Sequence, residues 1–221
     1  MRMRKKKYLD ERLEACKDVC LGWIPDPVHT SGEICTADIA GIFGNSAPLH
    51  LEIGCGKGKF ANTIAQQHPD INFIAVEQTP NVIVAAMEQT RELGLPNLRY
   101  YMGKAEYLRN VLAPDSVEQI YLNFSCPFPK TKYAKHRLTH KRFLDIYREI
   151  LINGGKIIQK TDNRDFFEFS LESFRENGFE LAFVTEDLHN STITGNIITE
   201  YEQRFLSQGL PIYYLEAVNK K

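Results

Sequence analysis

The stretch Leu49-His50-Leu51-Glu52-Ile53-Gly54-Cys55-Gly56-Lys57-Gly58-Lys59-Phe60 restricts the fold more than any other part of the chain. Its apolar start predicts a buried strand, and the periodicity that opens at Phe60 predicts a helix. Between the two, Gly54, Gly56 and Gly58 alternate with other residues. A strand–glycine loop–helix unit lets the backbone approach a ligand closely, because glycine has no side chain to exclude it. The same glycines would also serve an ordinary tight turn.

A dinucleotide fingerprint needs G-x-G-x-x-G, with the last glycine serving helix–strand packing. The spacing here is G-x-G-x-G, preceded by Glu52 at the strand end. A carboxylate in that place is a poor neighbour for a pyrophosphate and a good one for a cation. S-adenosylmethionine fits, since it carries an amino group and a sulfonium and no phosphate. The next strand ends in Glu77, where a carboxylate can accept both hydrogen bonds of a ribose diol. The competing role for Glu77 is a charge balancing the N-terminus of the helix that follows.

The rest of the chain alternates between the two periodicities. Strands are predicted over 72–77, 98–102, 117–124, 156–160, 179–185 and 211–218. Helices are predicted over 60–67, 80–93, 105–112, 138–151, 165–176 and 199–208, with Pro80 in a first turn and Gly154-Gly155 closing the helix over 138–151. The implied fold is α/β and Rossmann-like, a mostly parallel sheet with helices on both faces and an antiparallel C-terminal strand. Residues 48–221 form this domain. Residues 1–47 precede it as a basic arm (Arg2, Arg4, Lys5, Lys6, Lys7), an amphipathic helix over 8–20 and an irregular lead-in rich in Gly, Pro, Ser and Asn.

A chain of 221 residues suits one such domain with extensions. The net charge of −1 carries no global nucleic-acid signature, so any basic surface has to be local. No apolar run is long enough to span a bilayer, and no apolar segment follows the basic N-terminus, which predicts a cytoplasmic protein without membrane contact. Cys16, Cys20, Cys35, Cys55 and Cys126 lack the paired spacing of a zinc site, so no metal is expected and the thiols read as free.

In an open parallel sheet, ligands sit beyond the carboxyl ends of the strands. Strand three ends in Gly103-Lys104-Ala105-Glu106, with Lys104 where such folds commonly place an acid for adenine. Strand four ends in Asn123-Phe124-Ser125-Cys126-Pro127-Phe128-Pro129-Lys130, a stiff loop whose Phe128 is either a stacking surface for a base or a hydrophobic plug. Lys130, Lys132, Lys135, His136, Arg137, His140, Lys141 and Arg142 follow with no acid before Asp145. Such a concentrated positive run suits a phosphate backbone. Strand five ends in Thr161-Asp162, where Asp162 can accept the N1–H and N2–H donors of guanine or cap the next helix. Thr199-Glu200-Tyr201-Glu202 has the form of a capping box.

Together these residues resemble the bacterial tRNA (guanine-N7)-methyltransferase family, from about Pro48 to the C-terminus. The resemblance rests on Glu52-Ile53-Gly54-Cys55-Gly56-Lys57-Gly58, Glu77, Asn123-Phe124-Ser125, Pro127-x-Pro129-Lys130, Arg137-Leu138-Thr139, Thr161-Asp162 and Thr199-x-Tyr201-Glu202. It implies a class I methyltransferase fold and transfer of methyl from S-adenosylmethionine to N7 of a guanine in the tRNA variable loop, by a monomer or homodimer. By similarity, Glu52, Gly54, Gly56, Gly58, Glu77, Lys104 and Asn123 take the cofactor, and Lys130, Arg137, Asp162 and Thr199–Glu202 take the substrate. The catalytic positions are Asp162 and Cys126. The family loop reads Asp-Pro-Trp-Pro-Lys, so Cys126 stands where the family has an acid and Phe128 where it has Trp. With Lys104 also replacing an acid, a catalytically weakened or non-catalytic tRNA-binding paralogue is the alternative reading.

Overall fold

The computed structural model describes residues 4–21 and 36–221. They belong to two compact units, Met1–Ala113 and Pro114–Lys221.

In the first unit, α1 (Leu9–Ala15) and the short α2 (Ile39–Phe43) precede β1 (Leu49–Ile53), α3 (Lys59–Gln67), β2 (Asn72–Val76), α4 (Pro80–Leu93), β3 (Leu98–Tyr101) and α5 (Leu108–Val111). The strands pair in parallel in the order β3-β2-β1. Every residue of β1 and β2 is buried, as a parallel strand covered on both faces requires. Helix α4 has Pro80 in its first turn and stops at Gly94, whose φ of 63° no β-branched residue would tolerate.

The predicted helix over 8–20 is broken. α1 ends at Ala15, a 3-10 turn spans Lys17–Val19, and Cys20 then bridges Tyr100 in parallel at the edge of β3. Polar contacts pin this segment and the arm before it to α4, among them Arg91 with Asp18 at 3.0 Å. Arg12 Nε and Nη2 each donate at 2.6 Å to the Glu88 carboxylate, and Asn81 accepts from the Lys6 N–H and donates to the Arg4 carbonyl at 2.9 Å each. The basic arm from Arg4 onward is therefore docked, not a free tail. Within the lead-in, α2 is an element too short for periodicity to reveal, capped by Asp38 accepting from the Gly41 N–H at 3.0 Å. The expected free thiols at Cys16, Cys20, Cys55 and Cys126 are unbridged. Arg2 and Cys35 lie outside the described residues.

In the second unit, β4 (Val117–Asn123), α6 (Lys141–Ile150), β5 (Leu151–Thr161), α7 (Arg164–Glu176), β6 (Phe179–Thr185), α8 (Glu200–Leu206) and β7 (Tyr213–Asn219) follow in sequence. Their strand order is β4-β5-β7-β6. β4 and β5 are parallel, and β7 runs antiparallel between β5 and β6, so the C-terminal strand has the expected direction. The expected glycine stop of the helix over 138–151 is corrected by the structure. α6 ends at Ile150, where Leu151 turns extended (φ −71°, ψ 140°) and enters β5 at once. Gly154 and Gly155 lie inside that strand: Gly154 has φ 81°, and a Cβ on Gly155 would come within 3.1 Å of the Glu118 carbonyl on β4. Gly155 serves close strand approach and Gly154 a positive-φ kink in the strand, instead of helix termination. Leu188, Ile212 and Tyr214 form a buried cluster against which Phe124 and Phe205 pack. Among the described residues no helix is long and apolar enough to cross a membrane.

Candidate active site

Except for Asn123, which lies in the second unit, the cofactor half of the sequence reading falls in the first unit. Gly54, Gly56 and Gly58 all adopt positive φ, at 86°, 58° and 81°. The loop is anchored to the end of β2, because the Gly54 and Cys55 N–H groups both donate to the Val76 carbonyl, at 2.8 and 3.0 Å. The three glycines do different work. A Cβ on Gly54 or Gly56 would meet nothing within 4 Å, so the backbone there is open to close approach by a ligand. A Cβ on Gly58 would lie 2.5 Å from Ala86 Cβ and 3.0 Å from the Tyr100 hydroxyl, so this glycine lets α3 start against α4. An open glycine backbone beside a carboxylate fits a cationic ligand without phosphate.

A buried polar network stands behind that turn. Asn62 Nδ2 donates to the Gly58 carbonyl at 2.9 Å, and Thr90 Oγ1 lies 2.6 Å from Asn62 Oδ1 and 2.8 Å from the Tyr100 hydroxyl. Burial raises the Tyr100 phenol and keeps it a neutral hydrogen-bonding group. Burial, and then the Glu52 and Glu77 carboxylates, push the Cys55 thiol up as well, so it is no nucleophile. Glu52 is buried in β1. Glu77 is half-buried and its Oε1 accepts from the Thr79 N–H at 2.9 Å, which gives it the helix-start role alongside any ligand role. Lys104 is exposed at the start of the 3-10 turn Ala105–Tyr107.

The substrate half falls in the second unit. Asn123 is buried at the end of β4. Phe124 then takes φ 50° and Phe128 φ 42°, two strained non-glycine positions in one short loop. Such strain persists only where surroundings enforce it. Phe124 donates its N–H to the Lys160 carbonyl at 2.8 Å and stacks on Tyr201 and Phe205, with centroids 6.1 and 6.4 Å apart. Ser125 Oγ is buried with no hydrogen-bond partner among the described residues, a polar group left over on this turn. Cys126 and Lys130 are exposed. Phe128 is half-buried and packs on the His136 ring at 5.5 Å, so it is not laid open as a stacking surface.

Three residues expected to touch substrate turn inward: Arg137, Glu202 and Thr199, which is 9% exposed and accepts from the Glu202 N–H at 3.0 Å. Arg137 is 9% exposed; its guanidinium donates to the Pro127 and Phe128 carbonyls at 2.9 and 3.2 Å and lies 4.4 Å from the Phe169 ring centroid. It clamps the proline loop instead of presenting its charge to solvent. Glu202 is fully buried and paired with Lys160 Nζ at 2.8 Å, because its carboxylate completes the capping box with Thr199 at the start of α8. Glu200 and Tyr201 beside it are exposed. Asp162 is exposed too. The expected capping role for Asp162 passes to Asn163, whose side chain accepts from the Phe166 N–H at 2.8 Å. Lys132, Lys135 and His136 are exposed on the 3-10 turn Thr131–His136, while Lys141 pairs with Asp145. Sequence reasoning missed the role of Lys160, although a lysine two residues after Ile157-Ile158 near the end of a buried strand signals a charge in need of a partner.

Comparison with known proteins places this geometry in a class and then in a family. The chain superposes over 100% of its length on the 16S rRNA methyltransferase KamB, covering 97% of that chain with a TM-score of 0.62 at 15% identity, so the fold is that of class I methyltransferases. Residues 46–215 match the family model described as "Putative methyltransferase". The chain is 49% identical over 176 residues to the tRNA (guanine-N(7)-)-methyltransferase of Brevibacillus brevis, covering 79% of this chain and 82% of the relative. It is 43% identical over 216 residues to that of Bacillus subtilis, covering 98% of each. The chain belongs to the bacterial tRNA (guanine-N(7)-)-methyltransferase family. It is an enzyme, and its methyl donor is S-adenosylmethionine.

Proposed function

We infer that the protein methylates N7 of a guanine in the variable loop of tRNA, with residues 48–221 as the catalytic domain. The observation that carries this reading is identity of 43% across 98% of the chain to a tRNA (guanine-N(7)-)-methyltransferase. When bound, S-adenosylmethionine supplies an electrophilic methyl group on a sulfonium. Guanine N7 already has a lone pair, so the protein has no proton to remove from the nucleophile, and its task is alignment and electrostatic support. Glu52, Gly54, Gly56, Gly58, Glu77, Lys104 and Asn123 hold the cofactor in this reading. Asp162 accepts the N1–H and N2–H donors of guanine, Lys130, Glu200 and Tyr201 contact the nucleotide, and the exposed lysines after Lys130 track the phosphate backbone. Cys126 takes the catalytic position by similarity, without acting as a base or a nucleophile. In this reading the protein acts on tRNA in the cytoplasm, as a monomer or homodimer.

The test is incubation with labelled S-adenosylmethionine and unmodified tRNA, followed by mapping of N7-methylguanine. Methyl in the variable loop is the expected result. Lys104 and Cys126 favour one alternative, a weakened or non-catalytic tRNA-binding paralogue, since by the family resemblance both stand where the family has a carboxylate. Tight cofactor binding by calorimetry together with turnover excludes it; tRNA binding without methyl transfer supports it.

A further inference from the structure

Lys160 is the last-but-one residue of β5, and its ammonium has three acceptors inside the protein. Nζ lies 2.8 Å from Glu202 Oε2, 2.9 Å from the Ile197 carbonyl and 3.1 Å from Asn196 Oδ1. The pair is buried on both sides, with side chains 3% and 0% exposed. Glu202 is saturated from the other direction as well. Its Oε1 accepts from Asn196 Nδ2 and lies 3.1 Å from His189 Nε2, and its Oε2 accepts from the Thr199 N–H at 3.3 Å. A carboxylate with this many partners has no lone-pair direction left for a substrate.

Such a pair is costly to bury and contributes little net stability compared with apolar packing of the same volume, so its presence calls for a role in specifying geometry. The geometry in question is local. Lys160 holds the 196–202 segment with its side chain and holds Phe124 with its main-chain carbonyl, at 2.8 Å from the Phe124 N–H. Tyr201 belongs to the first segment and stacks on Phe124 with an interplanar angle of 21°. Tyr201 is nevertheless 61% exposed, so one face of an aromatic pair is open. An aromatic ring fixed in orientation, with one face free, is what an unstacked nucleobase requires.

We propose that Lys160 is a positioning residue: its buried pair with Glu202 holds Tyr201 in register on Phe124 as a platform on which a base of the RNA substrate stacks. Glu202 acts from behind the platform and does not touch the RNA. This inference rests on the tRNA reading for the identity of the ligand.

The test compares Lys160→Met, the double variant Lys160→Met/Glu202→Leu, and Tyr201→Ala, each by thermal melting, cofactor calorimetry and direct tRNA binding by anisotropy. Lys160→Met leaves Glu202 buried without its cation and lowers Tm by about 10 °C. The double variant removes both charges and recovers most of that Tm, yet its tRNA affinity stays down by about tenfold, the scale of one lost stacking contact, while cofactor affinity stays within about twofold of wild type. Tyr201→Ala loses the same factor of about ten, and Tyr201→Phe keeps its affinity because the ring survives. Adding the double variant to Tyr201→Ala produces no further loss, since both act through one ring. A double variant with wild-type tRNA affinity overturns the proposal, as do additive losses. Should the double variant fail to fold, equal affinity of Tyr201→Ala and wild type overturns it alone. If wild-type protein binds tRNA without methylating it, the proposed reaction fails while this binding series still decides the role of Lys160.

Discussion

Arg137 Nε donates to the Pro127 carbonyl at 2.9 Å, across ten residues of chain, and Nη2 reaches the Phe128 carbonyl next to it at 3.2 Å. One guanidinium therefore holds both carbonyls of a loop in which Phe128 sits at φ 42°. Strain of that kind costs about 1–3 kcal/mol and is kept only by fixed neighbours.

Arg137→Ala should accordingly destabilise the protein by about 1.5–3 kcal/mol, the scale of charge-assisted hydrogen bonds lost from buried partners. It should weaken tRNA binding through disorder of the loop, leaving the slope of log affinity against log salt unchanged. Lys132→Ala or Lys135→Ala should do the opposite, sparing Tm and reducing that slope by about 0.7–0.9 for each phosphate contact removed. A salt titration of tRNA binding separates the two classes.

The glycines of the loop should also separate. Gly58→Ala combines positive φ with a Cβ 2.5 Å from Ala86 Cβ. Strain of about 1–2 kcal/mol and overpacking of about 1–3 kcal/mol then add, and thermal melting should register them. Gly56→Ala meets no neighbour within 4 Å, so the backbone strain stands alone in the melt. Its larger effect should appear in calorimetry as lost S-adenosylmethionine affinity, because the added methyl occupies space open to the ligand.

His50 supplies a pH dependence. It is buried in β1 against the Phe73 ring, and burial followed by the nearby His68 lowers its pKa to about 4. The unfolded chain binds this proton near pH 6.5 and the folded one near 4, so between those values the unfolded state carries more protons. Stability should be constant in this respect above pH 6.5 and fall as pH drops toward 4, by about 3 kcal/mol in all. His50→Phe should flatten the curve of Tm against pH in that window.

Cys126 is exposed in the loop after β4, at the position where the family resemblance implies an acid. Cys126→Asp should raise kcat by about tenfold, or ~1.4 kcal/mol of added support for the cationic purine that forms at N7. Alkylating Cys126 should slow the enzyme only by bulk, and a reagent of the size of a methyl thiol should leave turnover measurable. Complete inactivation by that small reagent would mean the thiol itself takes part.

Most elements were legible because their signals are local. The apolar blocks of β1 and β2, Pro80 and Gly94 bounding α4, and Thr199 with Glu202 capping α8 each lie within a few residues of what they control. The glycine spacing and Glu52 pointed to the cofactor for the same reason, since positive φ at Gly54 and Gly56 is a property of the loop itself. What a side chain does with its charge is not local. Arg137 looked like one member of a basic run, and only the return of Pro127 and Phe128 to its side makes it a clamp. Gly154 and Gly155 looked like a helix stop, and only β4 at the side of Gly155 makes that residue a site of close strand approach. Asp162 and Asn163 could each cap α7, and the backbone direction leaving β5 gave the cap to Asn163 and left Asp162 exposed. Lys160 and Glu202 are 42 residues apart, and nothing in either neighbourhood names the other. Periodicity and turn chemistry act over one or two turns of chain and so could be read from residue order. Which charges are buried, and against what, depends on packing between distant segments, and the folded structure alone brings them within hydrogen-bond range.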